Sequence, residues 1–437
     1  MKILHCADLH LGNLEGPVRD GKNARRGDTL RCMKYIAETA ETEKPNVSII
    51  AGDLFNRSRL WSDPALDDIN DALDYFIRPL CDNSEQVVLL FGTLNHDNPR
   101  AFENIKRAAA DLKNLHVYTA PGVDTLSTGD GEIQILAMPG FDKGRLRVFM
   151  PDADAETENQ NATTLVNGII TGQAAMLDRE KPGILVAHYT VAGCEADNGQ
   201  TFLAGQDVVI LPQTIDGIGV TLGCFGHIHK PQRLGCSTPA YYSGSPNQLT
   251  FNDEKDEHGF YIHEISSTGE VESRFIHTPE RRHQTIRLTQ DQVSEFIITG
   301  TITGLNPLAR DAILRVYYDA TPEQEKALNR AAVQSYLLDS QVCGAFHVAD
   351  FIRENQEDAL VTDGVAAEDT PAAALHRYLL MQKDNGADIT DADIERLEEL
   401  AAPIIREADD GREADRHAGA FTPKRIEVTN YRSYTHA

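Results

Sequence analysis

Residues 87–97 read Val-Val-Leu-Leu-Phe-Gly-Thr-Leu-Asn-His-Asp, and their reading decides the fold. The apolar run from Val87 to Phe91 is short, opens on β-branched residues and is followed by glycine, which predicts a buried strand ending near Phe91. Asn98-Pro99 has the form of a helix start, Asn capping and Pro in the first turn. Asn95, His96 and Asp97 then occupy the loop between the carboxyl end of a strand and a helix, where open α/β sheets bind ligands. A polar turn is the plainer account of one such tripeptide taken alone. The rest of the chain decides between the two.

Moving outward, the first third alternates strand and helix: strand 2–7, helix from about 28 to 43, strand 47–51, helix from about 64 to 78, then strand 87–91. This βαβαβ pattern predicts a largely parallel sheet. Further strands are expected at 115–118, 133–137, 184–187, 220–225, 240–243, 259–264 and 271–276, the later ones closely spaced as in antiparallel meanders. The architecture expected for residues 1–280 is a two-sheet α/β sandwich. Residues 281–355 read as a small α+β unit, with QTIRL and AILRVYY as strands and PEQEKALNRAAVQSYLL as one amphipathic helix. The acidic stretch 356–370 reads as a linker. Two helices with apolar stripes follow, at about 371–383 and 390–408.

A chain of 437 residues has room for about two to four domains. It lacks an apolar run long enough to cross a membrane, and MKILHCADLH turns polar too early for a signal peptide, so a cytoplasmic protein without membrane association is expected. The seven cysteines are scattered and form no CxxC pair, which points to neither a disulfide framework nor a zinc ribbon; Cys6 and Cys224 read as small core residues. A formal charge of −26 excludes a generic nucleic-acid coat protein but not a localised site. Basic residues gather at Arg25-Arg26, Arg57 with Arg59, Lys143–Arg147, Lys230 with Arg233, and Arg281-Arg282, and read as solvated surface unless they adjoin a catalytic centre.

Five strand ends carry an unusual inventory: Asp8 and His10, then Asp53, then Asn95-His96-Asp97, then His188, then His227 and His229. Residues two apart face the same way if extended geometry persists, so each such pair can grip a common centre. Imidazoles with carboxylates and no thiolate suit manganese, iron, zinc or nickel rather than calcium. Asp8, His10, Asp53, Asn95, His188, His227 and His229 exceed what one ion needs. Two ions about 3.5–4 Å apart, sharing a bridging carboxylate, fit better.

DLH, GDLF, NHD, AHY and GHIH, in this order, resemble the calcineurin-like metallophosphoesterase superfamily, and GHIHKPQ followed by YYSGSPNQLTF resembles its SbcD-type nuclease family over about residues 1–280. The resemblance implies one metal ion on Asp8, His10, Asp53 and His229 and a second on Asp53, Asn95, His188 and His227, both typically manganese, with Asp53 as the bridge. It implies that His96 is the catalytic histidine; Asp97 beside it reads either as orienting the ring or as a helix-cap residue. The implied activity is metal-dependent hydrolysis of DNA phosphodiesters, as exonuclease and single-strand endonuclease, in double-strand-break repair or recombination. Residues 281–355 would cap the site and orient DNA, residues 371–410 would bind an SbcC-type coiled-coil ATPase, and the nuclease would form a homodimer.

Two residues depart from that family's pattern. Leu94 stands where the family has glycine: either it is strained in a left-handed conformation, or the loop is displaced and Gly92 supplies the bend. Asn56 stands where some relatives have histidine. The competing readings are a phosphomonoesterase or cyclic-nucleotide phosphodiesterase on the same core, and a non-catalytic subunit regulating the ATPase. The tail 421–437, with RIEVTNYRSY, resembles the first strand of an SbcC-type ATPase, yet no GxxxxGK[ST] occurs in the chain. A longer nuclease–ATPase polypeptide is the expectation it raises.

Overall fold

Twelve strands form two six-stranded sheets packed face to face. The computed structural model describes residues 1–57, 63–140, 155–195, 208–305 and 310–354, with isolated positions between 379 and 402. The first sheet runs Val271–His277, Gly259–Ile265, Lys2–Cys6, Val47–Ile50, Gln86–Leu90, Leu115–Tyr118. Its last four strands are parallel, and Gly259–Ile265 and Val271–His277 add an antiparallel edge. The second sheet runs Gln232–Arg233, Ala240–Tyr242, Leu222–Gly226, Gly183–His188, Gly131–Met138, Gly122–Thr128.

Both faces of each sheet are covered, which is why the strands read as continuous apolar runs rather than alternating ones. Ile3, Ile49, Val88 and Leu90 meet Ile135, Ile184, Val186 and Leu222 between the sheets. The neighbouring positions Leu4, Ile50, Val87 and Leu89 turn outward onto Met33, Ile36, Phe76 and Phe102 of the helices. On the far side Leu136, Leu185 and Ala187 pack on Val166 and Ile170 of the helix Ala155–Ala174. A period of two along each strand thus divides the core into three layers.

Several expectations need correction. The later strands are mostly not a meander: Gly131–Met138, Gly183–His188, Leu222–Gly226 and Ala240–Tyr242 are parallel neighbours, because intervening segments return the chain to the same end of the sheet. The helix expected to stop at residue 78 continues to Asn83. A π-turn at Leu73–Ile77, where the Arg78 N–H reaches the Leu73 carbonyl, lets it pass Pro79. The single helix expected over 322–338 is two, Pro322–Ala327 and Arg330–Leu338, since Leu328 is extended and the Asn329 side chain caps a fresh start.

Residues 1–352 form one compact unit and 353–437 another. Within the first, His283–Leu288, Ile313–Tyr318 and His347–Arg353 make a three-stranded sheet with its own core, including Leu288, Phe296, Leu314 and Val333. Arg281 fastens it to the first helix, Arg26–Glu43, by donating to Asp28 at 2.9 and 3.0 Å, and lies 3.7 Å over the Phe346 ring. Arg25, wholly buried, donates to the carbonyls of Glu15, Gln248 and Leu249. These two arginines are structural, not the solvated surface expected of them. The linker 356–370, the tail 421–437 and most of 371–410 lie outside the described residues.

Candidate metal centre

The carboxyl ends of strands from both sheets meet at one place. From the first sheet come Asp8 and His10 after Lys2–Cys6, Asp53 after Val47–Ile50, and His96 after Gln86–Leu90; from the second come His188, ending Gly183–His188, and His227 and His229 after Leu222–Gly226. Ligand-type atoms of Asp8, His10 and His229 lie within 4.8 Å of one another, as do those of His10, Asp53 and His96, and those of Asp8, Asp53 and His188. His10 Nε2 stands 3.1 Å from His229 Nε2. His188 Nε2 stands 3.2 Å from Asp53 Oδ2 and 3.9 Å from Asp8 Oδ1.

Extended alternation does not bring these groups together. Asp8, His10 and Asp53 have φ near +50° and His227 has φ of 102°, so each turns sharply off its strand. Such backbone is costly for residues with a side chain and persists where the surroundings over-determine it. Here the Asp8 N–H donates to the Gly52 carbonyl and the His10 N–H to that of Asp53, while the Asp8 carboxylate accepts from the His227 N–H at 3.0 and 3.1 Å. The two sheets thus fix each other's loops.

The centre is buried and its charges are tightly coupled. Burial opposes the Asp53 charge, but the adjacent His188 imidazolium outweighs it and holds the carboxyl well below its usual range. Burial likewise opposes charge on His188, yet Asp53 and Asp8 raise it to about 10. Asp8 is pushed up by burial, and His10 is pushed well down by burial and by His229. Such a pocket calls for positive charge between its carboxylates, from protons or from a cation. Two buried nitrogens there, His10 Nδ1 and His188 Nε2, have no hydrogen bond. A His188 Nε2 turned to the carboxylates of Asp53 and Asp8, with Nδ1 already placed 2.7 Å from the Ala51 carbonyl so that Nε2 can offer its lone pair, fits divalent metal ligation.

Two sequence expectations are altered. Asn95 is not brought into the cluster: it is exposed at a turn, and Thr93 stands beside Asp53 instead, donating from its backbone N–H at 2.6 Å and its hydroxyl at 3.1 Å. Leu94 is 42% exposed with no left-handed strain. Gly92 is required for close approach, since a Cβ there would lie 2.2 Å from the Asp53 nitrogen. Asp97 does not orient His96. It is fully buried, accepts from the N–H groups of Phe55 and Gly92, and is pushed up to about 8 by burial and by Asp53. The orienting partner of His96 Nδ1 is the Asn56 carbonyl at 2.7 Å, which leaves Nε2 for chemistry. The Asn56 side chain itself donates to the Asn13 carbonyl.

Residues 1–231 match the family profile described as calcineurin-like phosphoesterase, more than half of the chain. The chain belongs to the calcineurin-like phosphoesterase family. Among curated relatives of this phosphoesterase, the SbcD component of the nuclease SbcCD from Staphylococcus saprophyticus is 25% identical over 285 residues, covering 63% of this chain and 68% of the relative. Its counterpart from Staphylococcus epidermidis is 24% identical, covering 63% and 69%. The DNA double-strand break repair protein Mre11 of Aeropyrum pernix is 26% identical over 255 residues, covering 56% and 53%. No helix among the described residues of the phosphoesterase is long and apolar enough to cross a membrane. Sequence reasoning missed Thr93, whose only signal is its place just after Gly92, and the Ala51 and Asn56 carbonyls, which no side-chain motif can reveal.

Proposed function

We propose that this phosphoesterase is a metal-dependent DNA nuclease that hydrolyses phosphodiester bonds during double-strand-break repair. One divalent ion is assigned to Asp8, His10, Asp53 and His229 and the other to Asp53, His188 and His227, with manganese as the ion matched to this nitrogen and oxygen set. The ions supply a water activated at neutral pH and neutralise the phosphate oxygens. His96, its Nδ1–H held by the Asn56 carbonyl, keeps Nε2 toward the cluster, its ring centroid 4.4 Å from that of His10. Protonated, it gives the Nε2 proton to the departing sugar oxygen. Asp53 sits at the junction of both ligand groups, and Thr93 holds its carboxylate in place.

The observation that carries this reading is the meeting of both sheets' strand ends in buried clusters of histidines and aspartates, with one further histidine beside them whose Nδ1 is held by a backbone carbonyl. The names of the relatives support DNA as substrate and a second protein as partner. An SbcC-type ATPase, a nuclease homodimer and a cytoplasmic setting, carried over from the sequence reading, complete the proposal. Manganese-dependent cleavage of linear and single-stranded DNA tests it. His96→Ala is expected to lower kcat at least a thousandfold while two ions per chain remain by elemental analysis, and Asp53→Ala to lose both ions. Turnover of phosphomonoesters without cleavage of DNA would sink the nuclease reading.

A further inference from the structure

Below the centre just described, three other side chains converge between the sheets: His5 on Lys2–Cys6, His263 on Gly259–Ile265 and Cys224 on Leu222–Gly226. All three are fully buried. One nitrogen of each imidazole and the Cys224 sulfur lie within 4.8 Å of one another. The histidines come from neighbouring strands of the first sheet and the cysteine from the second, so a shared ligand would tie the sheets together. We propose that His5, His263 and Cys224 form a separate site for a single thiophilic cation, zinc(II) or copper(I).

Geometry carries the proposal. His5 Nδ1 and His263 Nε2 are 3.3 Å apart. That is long for a hydrogen bond to nitrogen, but two imidazoles each about 2.0–2.1 Å from one ion stand at roughly this separation. The other nitrogen of each ring already faces an oxygen: His5 Nε2 is 3.2 Å from the Phe225 carbonyl, and His263 Nδ1 is 2.8 Å from Ser273 Oγ. A histidine that ligates through one nitrogen donates its other N–H to an oxygen in this way, which fixes ring and tautomer. The Tyr261 ring stacks on His263 with an interplanar angle of 11°, and Tyr241 packs at 5.0 Å.

The proton balance is simple. Without a cation, one N–H lies between the two imidazoles and Cys224 is a thiol, its ionisation pushed well upward by burial. On binding, His263 carries its proton on Nδ1, where Ser273 Oγ accepts it, and the thiol releases one proton to solvent. The thiolate cancels one charge of the cation, so copper(I) leaves no net charge in the apolar layer and zinc(II) leaves one. Two imidazoles with a thiolate select a softer ion than the thiolate-free catalytic centre.

The test does not depend on the nuclease reading. Protein produced with cobalt(II) is expected to show a near-ultraviolet thiolate-to-cobalt charge-transfer band, which the thiolate-free centre cannot produce. Protein purified without chelator is expected to hold one zinc or copper per chain that resists EDTA. Cys224→Ala should lose both the band and that ion yet still take up manganese, whereas Cys236→Ala should keep them. Cobalt-loaded wild-type protein without the band, or a band that survives Cys224→Ala, overturns the proposal. Should Cys224→Ala fail to fold, the wild-type spectrum and elemental analysis decide alone.

Discussion

Gly92 and Asp97 shape the loop that carries His96, and each makes a prediction. A Cβ at position 92 would fall 2.2 Å from both the nitrogen and Oδ1 of Asp53, and the backbone atom cannot swing aside. Gly92→Ala is therefore expected to destabilise the fold by roughly 1–3 kcal/mol through overpacking and to weaken manganese binding, read by urea denaturation and calorimetric titration. Leu94→Gly is the contrasting case: Leu94 is exposed and free of left-handed backbone, so stability should not rise and metal binding should not change. A clear gain in stability would show that Leu94 is strained after all. Asp97→Asn keeps the shape but turns one acceptor of a backbone N–H into an NH2 group. A loss of about 1–3 kcal/mol is expected, with His96 still held by the Asn56 carbonyl.

At the scale of elements, the strands were legible and their ends were not. Val87 to Leu90, buried on alternating faces, announce a strand covered on both sides, and the motif order located all five loops. What the sequence concealed is the left-handed backbone at Asp8, His10, Asp53 and His227, since it depends on carbonyls contributed by other loops. Period-two reasoning fails where the strand has ended. Arg25 departs from the solvated surface expected of it for a related reason: its partners are the backbone carbonyls of Glu15, Gln248 and Leu249, which no charge pattern advertises. Arg25→Met removes the donor to the buried Gln248 carbonyl and to the part-buried carbonyls of Glu15 and Leu249, and a loss of about 1–3 kcal/mol is expected. The exposed Arg282→Met, next to Arg281 in sequence, should change stability little; equal losses in the two variants would refute the structural role given to Arg25.

For the whole molecule, residues 1–352 contain every group assigned to the catalytic centre and four buried apolar clusters. A chain ending at 352 is expected to fold cooperatively and to retain metal-dependent cleavage of single strands. Deleting 371–410 should abolish co-purification with an SbcC-type ATPase; undiminished binding would place the contact elsewhere. The division of the centre between the sheets has a thermodynamic corollary. Asp8, His10 and Asp53 belong to one sheet and His188 and His229 to the other, so an ion held by both groups is lost when the halves part. Its concentration then acts on conformational equilibrium as well as on catalysis: at a hundred times the dissociation constant, linkage adds about 2.7 kcal/mol per site to the native state. Chelation should lower the melting temperature of the sandwich, and the protein's lifetime would follow the supply of free metal.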